Sequence, residues 1–208
     1  MLSLFCVALT AADRQPWCHY KGMKPTRRTP NSIEICILAA GLSSRMGRDK
    51  SKLRLGGRTI LTRIRETAKT LNCPVRVIRR DLVPRCGPLG GIYTALKTTG
   101  AEAVLFLACD MPKISNAFLE VMVERSRNGC GSIFVWHKDL AGFPFVVNQG
   151  ALPAIEKLLR EKKFSLQQLA AEIRAKKFRP HRAFVADLLN VNTPEEWARL
   201  QQLFSDEK

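Results

Sequence analysis

The 208-residue sequence predicts one α/β domain built on a mostly parallel sheet with helices on both faces. Short apolar runs alternate along the chain with stretches of helical character, which is the pattern of strand–helix–strand units. The runs Ile35-Cys36-Ile37-Leu38 and Ala103 to Ala108 (AVLFLA) are continuously apolar, as strands buried on both faces require. The length suits one domain with a sizeable core and is short for two. A composition of 46% hydrophobic and 25% charged residues is that of a soluble globular protein. From Ile33 onward no apolar run approaches the ~20 residues of a membrane span, so no membrane partner is expected.

The elements follow in order. Residues 1–32 are expected to lie outside the fold. Leu2 to Ala12 is apolar without a preceding basic region, and a polar, basic stretch leads to Asn31. The segment reads as a disordered extension, or as an upstream start with Met23 as the initiator, which leaves 33–208 as the domain. After the first strand, Ile35–Leu38, comes a loop rich in Gly and Ser, then a helix from about Thr59 to Leu71. Pro74 to Ile78 is a strand, and Gly87 to Gly91 turns into a helix ending near Gly100. The strand Ala103–Ala108 ends at Cys109-Asp110, and Ser115 suits the N-cap of a helix running to Arg127. Strands are expected at Ser132–Trp136 and Phe143–Val147, and helices at Leu152–Lys162 and Leu166–Lys176. Ser165 with Gln168 forms a capping-box pattern. A last strand ending at Leu189 precedes a helix marked by Thr193, Pro194 and Glu196.

The charge is uneven. Against 34 Lys and Arg stand 18 Asp and Glu, a net +16, which favours anionic partners. From Arg45 to Arg85 there are thirteen basic and three acidic residues, so most of the excess flanks the Gly/Ser loop. A solvated face and a phosphate site are both compatible with this run. Seven cysteines without a C-x-x-C pair argue against a disulfide framework or zinc site and for a reducing, cytoplasmic setting.

In such sheets ligands bind beyond the C-terminal strand ends, so the residues after Leu38, Ala108 and Leu189 matter most. The first set is Leu38-Ala39-Ala40-Gly41-Leu42-Ser43-Ser44-Arg45-Met46-Gly47-Arg48-Asp49-Lys50. Small residues let backbone N–H groups turn toward phosphate oxygens, and Arg45 and Lys50 could neutralise them. The stretch fits neither G-x-x-x-x-G-K-[ST] nor G-x-G-x-x-G. The second set is Asp110 before Met111-Pro112. A carboxylate at a buried strand edge must be solvated, paired or metal-bound. Mg²⁺ takes one or two carboxylates with phosphate oxygens and water, so Asp110 is either an Mg²⁺ ligand or a turn residue. The third set, Asn190-Val191-Asn192-Thr193-Pro194, offers amides for metal waters or substrate, or plain Asx-turns.

The order L-A-A-G-x-S-S-R-M-G-x-D-K, G-P-L-G-G, C-D-M-P and N-V-N-T-P-E-E resembles the molybdenum cofactor guanylyltransferase (MobA) family over Ile35 to Phe204. The resemblance implies a three-layer, Rossmann-like nucleotidyltransferase fold. It also implies transfer of the guanylyl group of GTP to the phosphate of molybdopterin, with release of pyrophosphate. On that basis Leu38, Ala39 and Ala40 would contact the nucleotide through their backbone, and Gly41 would help close the loop. Lys50, assisted by Arg45, would bind the triphosphate, and Asp81 would contact the nucleotide. Asp110 would carry Mg²⁺ beside the α-phosphate, and Asn192 would support the metal or the cofactor substrate. No covalent nucleophile is implied, because the attacking phosphate oxygen is already anionic; positioning and charge neutralisation suffice.

The chain departs from that pattern in three places. Ala40 stands where a glycine is commoner, and Phe143-Pro144 stands where the family has His-Pro. Only 31 positions separate Lys50 from Asp81, an interval that usually holds another strand and part of the base-recognition surface. A cytidylyltransferase for the same cofactor is the nearest alternative, but it commonly has P-K where Asp49-Lys50 stands here. A sugar-phosphate nucleotidyltransferase is more distant. A basic module binding nucleic acid has no RNA-binding motif behind it, and aromatic residues are only 7% of the chain. No nucleic-acid partner is therefore expected, and the sequence does not fix the oligomeric state.

Overall fold

The structure is a computed structural model that describes residues 29–40, 53–129 and 131–206. Residues 1–28 of the expected extension (1–32) and the loop bearing Gly41, Arg45 and Lys50 lie outside these described residues, whereas Thr29–Ser32 open the first strand. In chain order the elements are β1 (Thr29–Leu38), β2 (Arg54–Leu55), β3 (Arg58–Thr59), α1 (Ile60–Lys69), β4 (Val75–Ile78), α2 (Pro88–Thr98) and β5 (Ala101–Ala108). There follow α3 (Asn116–Arg127), β6 (Ile133–His137), β7 (Leu140–Asn148), α4 (Leu152–Arg160), α5 (Leu166–Glu172), β8 (Lys176–Phe178) and α6 (Pro194–Asp206).

Six strands make one mixed, mostly parallel sheet in the order β4-β1-β5-β7-β6-β8, in which β7 runs against its two neighbours. The sheet divides the core in two, as alternation along each strand dictates. Ile35, Ile37, Leu105 and Leu107 face α1 and α3. Cys36, Val104 and Phe106 face α2, α4 and α5. This is the three-layer α/β architecture that the apolar runs predict. Phe145 links neighbouring strands on the second face, stacked at 4.4 Å on Phe134 and 5.1 Å on Phe106. Burial pushes the Cys36 thiol up to about 12, with the Glu34 carboxylate adding to the shift. It is therefore a small apolar residue at neutral pH.

The expected helix starts are all present. Thr59 Oγ1 accepts the Thr62 amide N–H at 3.0 Å, and Ser115 Oγ accepts that of Phe118 at 3.3 Å. Ser165 and Gln168 form the full reciprocal box. At α6, Thr193 Oγ1 accepts from the Glu196 amide at 3.2 Å while Glu196 Oε2 accepts from the amides of Asn192 and Thr193.

Three expectations are corrected. The stretch before α1 is not loop throughout: Gly56-Gly57, both at positive φ, turn a short hairpin of β2 and β3. The helix expected to reach Lys176 stops at Glu172, because Arg174 adopts φ 48° and Lys176 joins the sheet, its amide donating to Ser132 O at 2.8 Å. No strand ends at Leu189; Arg182–Phe184 and Ala186–Leu188 are 3₁₀ turns instead. Their side chains explain the difference. Phe184 stacks on Phe118 at 5.0 Å and Asp187 is buried against α3, so the segment caps a helix layer and adds nothing to the sheet.

Candidate functional site

The chain leaves β1 to form β4 on one side and then crosses to form β5 on the other, so β1 and β5 part at a topological switch point. In open α/β sheets that point, beyond the C-terminal ends of the two strands, is where ligands bind. Residues Leu38 to Ala40 lie at that point. The Ala39 amide donates to Ile78 O at 2.8 Å, and the Cys109 amide donates to Leu38 O at 3.3 Å. The end of β1 is thereby held between the ends of β4 and β5, and Asp110 stands beside it, half-buried.

The segment bearing Asn192 reaches the same place by a route unlike the one expected. The Val191 amide donates to Asp110 O at 3.0 Å, and the Val191 side chain is fully buried with Leu55 and Leu200. Asn192 is thus carried to the Asp110 turn by a buried neighbour, although no strand delivers it. The structure accordingly brings together Leu38, Ala39, Ala40, Asp110 and Asn192.

Asp81 joins them from the other side of β1. It follows β4 and lies over the first turn of α2, where the G-P-L-G-G glycines make room for it. A Cβ on Gly90 would stand 2.9 Å from Asp81 Oδ2 and 2.6 Å from Val83 O. A Cβ on Gly91 would stand 3.4 Å from Asp81 Oδ1 and 3.1 Å from Leu38 Cδ2. Asp81 therefore borders Leu38 at the strand end. Its Oδ1 is buried with no hydrogen-bond partner among the described residues, and burial raises its carboxyl above the usual range. The Cys86 thiol is raised too, by burial and by the nearby Asp81 charge.

An ionised carboxylate held this way weakens the protein without its ligand. A carboxyl raised in the fold contributes a penalty that appears as pH climbs past the ordinary 3.8 and is complete above the raised value. Asp81→Asn is expected to raise the melting temperature at pH 7. The gain should shrink as pH falls through the raised value and vanish near 3.8. Thermal melts across pH 3–8 check this, and a gain independent of pH would contradict it.

Part of the positive excess lines a groove of about 400 Å³ between α1 and the edge strand β4, with Arg65, Lys69 and Arg79 among its walls. Arg79 directly follows the strand end that holds Ala39. Arg45 and Lys50, the expected triphosphate ligands, lie outside the described residues, as does Gly41. Among the described residues no group of three or more His, Cys, Asp and Glu could hold a metal by itself. No described helix is long and apolar enough to cross a membrane.

Two features near this site carry little or no signal in the sequence. The closeness of Gly90 and Gly91 to Asp81 had a signal, the paired glycines inside a helical stretch, which often mark a close approach. Asp187 had none, since a lone Asp in a short apolar run is indistinguishable from a surface turn residue.

Residues 35–175 match the MobA-like NTP transferase domain family. A relative from Opitutus terrae, described as a probable molybdenum cofactor guanylyltransferase, is 35% identical over 72% of this chain and 83% of its own. The crystal structure of molybdopterin-guanine dinucleotide biosynthesis protein A from Archaeoglobus fulgidus superimposes with a TM-score of 0.67 at 16% identity, covering 83% of this chain and 99% of that one. Rv0371c from Mycobacterium tuberculosis, solved in complex with manganese, superimposes with a TM-score of 0.55 at 17% identity, covering 85% and 100%.

Proposed function

This chain belongs to the MobA-like NTP transferase family, and from that premise we propose that it transfers the guanylyl group of GTP to the phosphate of molybdopterin, in molybdenum cofactor maturation. The observation that carries the reading is the meeting of Leu38–Ala40 with Asp110 at the switch point. Backbone at the end of β1 with a carboxylate beside it suits a nucleotide whose phosphates bring a divalent cation. A phosphate oxygen of the acceptor attacks the α-phosphorus of GTP. The bond from that phosphorus to the bridging oxygen breaks, and pyrophosphate leaves with the electron pair.

Each residue has a task in this scheme. The Leu38–Ala40 backbone seats the nucleoside, and Gly41 lets the loop close over the phosphates. Lys50 and Arg45 neutralise the triphosphate. Asp110 holds Mg²⁺, which when bound withdraws charge from the phosphates and orients them. One carboxylate fits that donor set, because Mg²⁺ fills its remaining positions with phosphate oxygens and water. Asn192 supports the metal or the acceptor. The buried Asp81 Oδ1 accepts from the nucleotide, and guanine offers N1 and N2 donors that suit it. Cys36, Cys73, Cys86 and Cys109 form no disulfide among the described residues, which suits the cytoplasmic setting we propose.

The experiment is a comparison of GTP, CTP, ATP and UTP with Mg²⁺. GTP is expected to raise the melting temperature most, by the equivalent of about 2.7 kcal/mol at a hundred times its Kd. Its lead over the other three should be modest, since the short interval before Asp81 removes part of the surface that would read the base. Preference for CTP would move the assignment to cytidylyl transfer, and no response to any triphosphate would end the nucleotidyltransferase reading.

A further inference from the structure

Asp187 and Thr94 are the buried polar side chains among the described residues, and Asp187 is the carboxylate of the two. Its Oδ1 accepts the Ser115 amide N–H at 2.6 Å. Ser115 is the N-cap of α3, whose partly positive end favours a negative neighbour. A second tether lies alongside, from the Val191 amide to Asp110 O at 3.0 Å. Together they hold the segments Asp110–Ser115 and Asp187–Val191 side by side in opposite directions. The apolar contact of Phe184 on Phe118 already docks the chain here. A hydrogen-bonded carboxylate adds a fixed direction that ring packing lacks.

We infer that Asp187 is a positioning residue for the transfer reaction: its carboxylate fixes the Asn190–Thr193 turn against the Asp110 turn and so sets where Asn192 stands. The inference rests on the reading that Asp110 and Asn192 belong to the transfer site. Asp187 touches no substrate; it acts through the Ser115 amide at one end and through Val191 at the other.

Hydrogen exchange and kinetics test it together. In Asp187→Ala the Val191 amide should exchange at least about tenfold faster, through local opening of the tethered turn. Turnover with molybdopterin and GTP·Mg²⁺ should fall about ten- to a hundredfold, as misplacement of a reacting partner does. Affinity for GTP·Mg²⁺ should stay within about twofold, because the nucleotide sites on β1 and Asp81 are untouched. Asp187→Asn keeps an oxygen that accepts the Ser115 N–H and should recover most of both losses. If the alanine variant does not fold, Asp187→Glu, one methylene longer, should show the same faster exchange and lower turnover. Unchanged Val191 exchange overturns the inference, and so does a parallel loss of GTP affinity, which would mark general loosening. The exchange measurement needs no acceptor, so a wild-type protein that transfers no guanylyl group would count against the proposed reaction alone.

Discussion

Asp110→Asn is expected to lose about two to four orders of magnitude in turnover, with little change in melting temperature. The substitution keeps the shape of the side chain and removes the charge that would hold the divalent cation against the phosphates. At 1.36 kcal/mol for each factor of ten, the loss corresponds to about 3–5 kcal/mol of transition-state stabilisation. The fold should tolerate the change because the structural part of Asp110 is its backbone, whose carbonyl accepts the Val191 amide at 3.0 Å in either variant. The side chain ends the strand half-buried, so an amide can be accommodated there. Turnover is measured at saturating GTP across a range of Mg²⁺, with a thermal melt as the control. Turnover within a few-fold of wild type would return Asp110 to the role of a turn residue, the reading that the C-D-M-P motif alone leaves open.

How much of this was legible in the sequence follows from which forces are local. Buried strands such as Ala101–Ala108 declare themselves because both faces must be apolar, whatever packs on them. Caps at Ser115, Ser165 and Thr193 declare themselves because donor and acceptor lie within one turn. The errors sit where distant contacts decide. Lys176 continues a helical pattern, but its amide bonds the Ser132 carbonyl and its strand pairs with the edge of β6, which draws it into the sheet. Ala186–Leu188 follows an apolar stretch that would pass for a strand, yet Phe184 stacks on Phe118 and Asp187 binds the Ser115 amide, which turn the segment onto α3.

The site divides in the same way. The strand ends carrying Leu38 and Asp110 were found because a general rule puts ligands there. The reach of Asn192 to the Asp110 turn was expected for the wrong reason. A strand was to deliver it, whereas a backbone hydrogen bond and the buried Val191 do so. The position of Asp81 over α2 was hidden, because nothing short of the fold says which atoms a helix glycine makes room for.

That closeness leads to the second large effect. Gly90→Ala is expected to destabilise the protein by about 1–2 kcal/mol, a fall of about 2–8 °C for a chain of this length, and to weaken GTP·Mg²⁺ binding about tenfold. Alanine in a helix is ordinarily worth about 1 kcal/mol over glycine, so the sign depends on what the new methyl meets. Here it would lie 2.6 Å from Val83 O, a backbone atom, and 2.9 Å from Asp81 Oδ2. The backbone cannot simply retreat. The Leu82 amide donates to Thr94 Oγ1 at 2.8 Å, and that hydroxyl donates to Gly90 O at 2.7 Å, so the 81–83 loop is bound to the very turn that would push it away. Overpacking of this kind costs about 1–3 kcal/mol, which outweighs the helical gain, and the displaced carboxylate loses its place beside Leu38. Gly91→Ala supplies the contrast. Its methyl would meet the ends of the Leu38 side chain at 3.1 and 3.4 Å, which can move by a few tenths of an ångström. Stability should therefore hold or rise while nucleotide affinity falls, because the atoms that shift belong to the end of β1 where the nucleotide is proposed to sit. Melts and GTP·Mg²⁺ titrations of the two variants separate the effects. If Gly90→Ala melted at or above the wild-type temperature, the 81–83 loop would be free to move, and Asp81 would not be held in place for a nucleotide.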